Sequence, residues 1–276
     1  MRFACLILVG VLATLVLGPA AQAGFVGIDD FQSYTAGDNV DGHNGWHAWT
    51  PGDVGYFTAV VDPSGPSSNK VLKSHNDGTF DEEHEYTAYN NSSSLTMPEG
   101  TTPATFFYRF MSTGPDAPHD QAWGLTSLAT PHTWGAFRTR TALAGDGTLL
   151  LRNGAINDEP FVPDCGTWYS FWYVVHNVVN GVDNDTWDVY VQGGAYATQT
   201  QLADGFLFNT ASGGDVEADS LRTFEMITDW GDMYFDDIYV DTAGENLSNP
   251  TSAIPEPATL ALLALGGAVS LIRRRR

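Results

Sequence analysis

Carboxylates and aromatic rings are the groups with which this chain could do chemistry. Asp236 and Asp237 stand side by side in an otherwise apolar run, Met233 to Val240, and Asp29 and Asp30 do the same in Ile28 to Phe31. Successive strand residues point to opposite faces, so at least one of Asp236 and Asp237 is expected to face the interior. A carboxylate removed from water needs a partner. Basic residues are scarce, 12 Lys and Arg against 33 Asp and Glu. A cation is therefore a more available partner than arginine, and calcium suits carboxylate and carbonyl oxygens. The pattern admits a calcium site built from Asp30 with Asp236 or Asp237. The alternative is an inward carboxylate that caps backbone amides at a strand end while its neighbour is solvated.

The remaining acidic clusters promise less. Glu83 and Glu85 alternate within Asp81-Glu82-Glu83-His84-Glu85, and glycoside hydrolysis needs two carboxylates around the scissile bond. That run lies beside a loop, however, and reads as a solvated edge. Glu225, Asp229 and Asp232 are spaced across an expected turn. Asp183-Asn184-Asp185 lacks the glycine and closing glutamate of an EF-hand loop. The histidines form no His-Glu-x-x-His pair, there is no Gly-x-Ser-x-Gly elbow, and Cys165 beside Asp164 has no activating base. No catalytic residue is assigned, and a non-enzymatic protein is expected.

Sugar rings present apolar faces that stack on aromatic side chains. Of the eight tryptophans, Trp168, Trp172 and Trp187 sit at core-like positions. Trp46, Trp49 and Trp230 flank Gly/Asp turns, so they are expected at exposed loop tips as candidates for glycan binding.

These groups must be positioned by strands, since the chain between its termini shows no amphipathic helix. Alternating apolar runs bounded by Gly, Pro, Asn and Asp are found at Phe25 to Phe31, Tyr56 to Asp62, Lys70 to Ser74, Thr105 to Met111, Ala122 to Leu128 and Thr133 to Thr141. Others follow at Thr148 to Arg152, Trp168 to Val175, Trp187 to Gln192, Leu221 to Thr228 and Met233 to Asp241. Such a pattern predicts an all-β fold, a two-sheet antiparallel sandwich.

Each end of the chain carries an address. Arg2, the apolar stretch Phe3 to Leu17 and the small-x-small site Ala21-Gln22-Ala23 form a secretory signal peptide, with Gly24 as the mature start. Cys5 departs with it and leaves Cys165 alone, so no intramolecular disulfide can form. At the other end, Pro255-Glu256-Pro257 precedes an apolar run, Ala258 to Ile272, and then Arg273, Arg274, Arg275 and Arg276. The run is just long enough for a short transmembrane helix, and the arginines hold its end in the cytoplasm. Without Arg2 and the four terminal arginines the 12 basic residues fall to seven, and without Glu256 the 33 acidic residues fall to 32, a net charge of −25. Such a surface repels nucleic acid and anionic headgroups.

The tail resembles the PEP-CTERM sorting signal of bacterial envelope proteins. That resemblance implies passage through the secretion machinery, transient anchoring in the inner membrane and processing by an exosortase. It also implies a final place in the envelope, at the cell surface or outside, in association with exopolysaccharide or biofilm. The body resembles jelly-roll domains of the concanavalin-like lectin/glucanase and laminin-G type, on Gly166-Thr167-Trp168-Tyr169 leading an aromatic strand and on Met233-Tyr234-Phe235-Asp236-Asp237-Ile238-Tyr239-Val240 near the end. That resemblance implies first and last strands side by side, and a fold that hosts lectins, glycanases and adhesive domains. The expected layout is a signal peptide (1–23), a jelly-roll domain (24–245), a linker (246–254) and the sorting signal (255–276). The leading expectation is an exported matrix protein, with a carbohydrate-binding module and a glycoside hydrolase as alternatives.

Overall fold

The computed structural model describes residues 24–49, 53–76, 86–100, 102–113, 120–131, 133–179, 185–209 and 220–250. The chain divides into two units, Met1–Asn246 and Leu247–Arg276, and the description concerns the first. The segment expected to be a signal peptide, the run Asp81 to Glu85, and the sorting tail lie outside the described residues. Among the described residues no helix is long and apolar enough to cross a membrane.

The strands are β1 (Val26–Asp29), β2 (Trp46–Ala48), β3 (Phe57–Val61), β4 (Lys70–Asn76), β5 (Tyr86–Asn90), β6 (Ala104–Ser112) and β7 (Asp120–Thr126). They continue with β8 (Thr139–Leu143), β9 (Leu149–Asn153), β10 (Ile156–Phe161), β11 (Tyr169–His176), β12 (Thr186–Gly193), β13 (Tyr196–Leu207) and β14 (Thr223–Asp241). All pairings are antiparallel, and two sheets meet in β14. Its first half lies between β5 and β7 in the sheet ordered β2-β5-β14-β7-β8-β9-β10. Its second half lies between β4 and β6 in the sheet ordered β3-β4-β14-β6-β11-β12-β13, with β1 alongside.

The turn expected between Leu221 to Thr228 and Met233 to Asp241 is therefore absent. Gly231, at φ +88°, carries one strand from sheet to sheet. Thr133 to Thr141 is strand only from Thr139 onward. The preceding segment places Phe137 against Ala122, Ala142 and Ile227. β13, missing from the expected strands, is a polar edge strand with a single buried residue, so it carries no alternation to be seen.

The core between the sheets is aromatic. Phe106, Tyr108 and Phe110 of β6 and Phe171 and Tyr173 of β11 face Trp123 of β7 and Phe224 of β14. At its centre Trp123 Nε1 donates to the Tyr108 hydroxyl at 2.7 Å, Tyr108 bonds Tyr173, and Tyr173 bonds Thr141. A chain of bonds therefore joins the two sheets through a buried interior, where each unmatched group would cost about 1–3 kcal/mol.

Candidate functional site

On the outer face of the sheet that contains β4, β6 and β11, β14 carries a bulge between Asp236 and Tyr239. Phe235 and Ile238 both enter the core, with two residues between them instead of one. The extra residue is Asp237, at φ +53°. A left-handed residue in a bulge re-aims a side chain, and the two carboxylates expected on opposite faces meet one guanidinium instead. Arg109 of β6 places Nη1 3.1 Å from Asp237 and 3.7 Å from Asp236. Its guanidinium also stacks 4.7 Å from the centre of the Trp168 ring.

The β3–β4 loop closes this group. Asn69 Nδ2 donates to Asp236 at 3.2 Å and to Asp62 at 3.1 Å, and Trp168 Nε1 donates to Asp62 at 3.3 Å. Burial, then the charge of Asp237, pushes the Asp236 carboxyl up to about 8, against the pull of Asn69 and Arg109. Burial also raises Asp237, and Asp30 adds to it while Arg109 opposes. Asp30 itself is exposed and accepts from the Gln32 amide at 3.1 Å.

Arginine thus holds the place assigned to a cation. Among the described residues no group of three His, Cys, Asp or Glu side chains is arranged to hold a metal ion. The guanidinium would repel calcium from Asp236 and Asp237, so the residues present do not fit that ion. Beside them a cavity of about 270 Å³ is lined by Gly27, Ile28, Asp29, Asp30, Asn44 and Tyr239. Asp29 is buried and accepts from Phe31 N, Tyr34, Asn44 and Trp46, at 2.8, 2.9, 3.3 and 3.0 Å. One of these four donors is a backbone amide and three are side chains.

The outer face of the sheet that contains β2, β5, β7 and β8 holds a different row. His47 pairs with Tyr89, Tyr89 with Glu225, Glu225 with Gly124, and Gly124 with Arg140. Trp46, Phe224 and Met226 face the core, so alternation places His47 and Glu225 outward. Their neighbours Trp49 and Thr87 are joined by Trp49 N donating to Thr87 O at 2.9 Å. Gly124 cannot carry a side chain, since a Cβ there would lie 1.7 Å from the Thr139 carbonyl oxygen. Glu225 is fully buried, while the His47 and Tyr89 rings lie 5.3 Å apart at the sheet's edge.

The three tryptophans expected at loop tips part company. Trp46 is completely buried, the opposite of the expectation, because its indole packs on Phe31 and Phe224 while Nε1 bonds Asp29. Trp230 is half-buried inside β14. Trp49 is 41% exposed, as expected. Cys165 is exposed. Sequence reasoning missed Arg109 and Tyr89, because only cross-strand register brings them to their partners.

Residues 253–276 match the PEP-CTERM protein-sorting motif. The chain therefore carries a signal that implies export and exosortase processing. No curated protein matches the sequence. Among solved structures, the chain is similar to a sialidase at 9% identity and a TM-score of 0.51, covering 79% of this chain and 18% of that one. It is also similar to the catalytic domain of a glycoside hydrolase family 131 protein from Coprinopsis cinerea, at 12% identity and TM-score 0.46, covering 81% and 92% of the two chains. A third is the PL-14 alginate lyase from Aplysia kurodai, at 13% identity and TM-score 0.44, covering 70% and 88%. These likenesses concern fold, and they agree with the jelly-roll expectation. The expectation of a non-enzymatic protein is overturned: the sialidase, the glycoside hydrolase and the alginate lyase that the chain resembles in fold are enzymes. Searching single strands for paired carboxylates could not exclude activity, because a sandwich gathers residues by register.

Proposed function

We propose that the mature protein is displayed at the cell surface as a carbohydrate-directed β-sandwich associated with exopolysaccharide. Export rests on the sorting motif. The carbohydrate reading rests on one observation, the exposed Trp49 indole at the β2–β5 edge, with His47 and Tyr89 in the adjoining row. Aromatic faces of this kind stack on the apolar faces of sugar rings. A net charge of −25 in the mature chain favours neutral glycans over anionic ones.

Affinity gels cast with soluble β-glucan, xylan or the producing cells' exopolysaccharide test the reading. Retardation in at least one gel, weakened roughly ten-fold by Trp49→Ala at unchanged melting temperature, is expected. Uniform mobility in all of them overturns it.

A further inference from the structure

We propose that Asp241 and Asn246 form an intramolecular site for the α-ammonium group released at Gly24 when the signal peptide is removed. Cleavage at one end of the chain then pins the segment that runs on toward the sorting tail. The step is a simple hydrolysis. Water adds across the Ala23–Gly24 amide under a signal peptidase, leaving a carboxylate on Ala23 and a protonated amine on Gly24. The proposal rests on the reading of Ala21-Gln22-Ala23 as the cleavage site.

Two parts of the fold converge here. Val26 pairs with Val240, which lays the start of β1 along the end of β14. Phe25 fixes the approach, its ring 6.1 Å from Phe107 and 6.4 Å from Tyr239. Gly24 therefore arrives beside Asp241, so closely that a Cβ on it would lie 2.3 Å from Asp241 Oδ2 and 2.6 Å from Asn246 Nδ2. The nitrogen and the Cβ position share one Cα, and standard bond lengths put that nitrogen within about 5 Å of the carboxylate oxygen. Only glycine leaves this space open.

The acceptor is built. Asp241 is 4% exposed. Its Oδ1 accepts from Ala243 N at 2.9 Å and its Oδ2 from Asn246 Nδ2 at 2.7 Å. Among the described residues no basic side chain forms an ion pair with it. The buried Thr105 hydroxyl donates to Gly244 O at 3.1 Å and accepts from Asn246 N at 2.9 Å, which holds the exit segment against the sheet. A buried carboxylate with two neutral donors is improved by a charged one. The amide of an uncleaved precursor offers at most one neutral N–H; the mature terminus offers three donors and a positive charge.

The test compares chains running to Arg276 in mild detergent, one beginning at Gly24 and one at Ala23. The Gly24 chain should melt about 2–4 °C higher, as expected for a gain of one ion pair in a domain of this size. Asp241→Asn should remove the difference. The second measurement needs no substitution: an amine-reactive ester should label the Gly24 terminus at least ten-fold more slowly than a glycine peptide. Equal melting, or labelling at the peptide's rate, overturns the proposal. N-terminal sequencing of the exported protein separately checks the cleavage site.

Discussion

Arg109 and Asp237 are joined at 3.1 Å because a single extra residue in β14 turns Asp237 onto the face that Arg109 occupies. Without the bulge, Asp237 would enter the aromatic core. The same guanidinium reaches Asp236 and stacks on Trp168, so one basic residue serves both carboxyl groups. Arg109→Met leaves both acids without their cation. Breaking a buried pair costs about 3–5 kcal/mol, and the 25% exposure of Arg109 reduces this to about 2 kcal/mol. Urea unfolding should show that loss, with Arg109→Lys recovering only part of it because the fork and the stack are gone.

Asp236 gives stability a pH dependence of known sign. Its carboxyl is pushed from an ordinary 3.8 up to about 8, first by burial and then by Asp237. Between those values the folded chain binds a proton that the unfolded chain has released. Its contribution is therefore complete below pH 4 and is lost as pH rises toward 8, at up to about 1.4 kcal/mol per unit. Asp236→Asn should flatten this part of the profile, measured by urea midpoints at pH 5, 6, 7 and 8. An unchanged slope would mean that Asp236 is ionised throughout.

Calcium is expected to be dispensable. Because Arg109 already pairs with Asp236 and Asp237, thermal melting should coincide in calcium and in chelator. A drop of several degrees in chelator would restore the site at Asp30, Asp236 and Asp237.

The two neighbouring tryptophans should behave oppositely. Trp46→Ala empties a fully buried position and abandons a hydrogen bond to Asp29, costing about 3–5 kcal/mol. Trp49→Ala, at an exposed position, should change stability by less than about 0.5 kcal/mol. Differential scanning calorimetry of the pair separates core from surface.

Processing can be read from mass. Replacing Pro255, Glu256 and Pro257 with alanine should leave the tail on the exported product, whereas the unaltered chain should lose it. Intact-mass measurement of the mature C-terminus decides, and a full-length tail in the unaltered product would contradict the sorting reading.

The sequence by itself determined where the protein is sent and what kind of fold it makes. The sorting motif is contiguous, and it matches as a string over residues 253–276. Strand alternation is a local consequence of burying one face, so β6, β11 and β12 were legible from their own residues. Trp49 was legible because an aromatic beside a Gly-rich turn lies at the surface here, but the same reasoning misplaced Trp46, whose indole is drawn inward by Asp29. Other features depended on register. Only cross-strand pairing tells that Arg109 lies beside Asp236, that Tyr89 lies beside Glu225, and that β14 runs through both sheets. The bulge at Asp237 reverses a side chain with no change in composition, and the approach of Gly24 to Asp241 spans nearly the whole domain. Periodicity carries information over neighbouring residues, whereas these contacts are fixed by how the sheets pack.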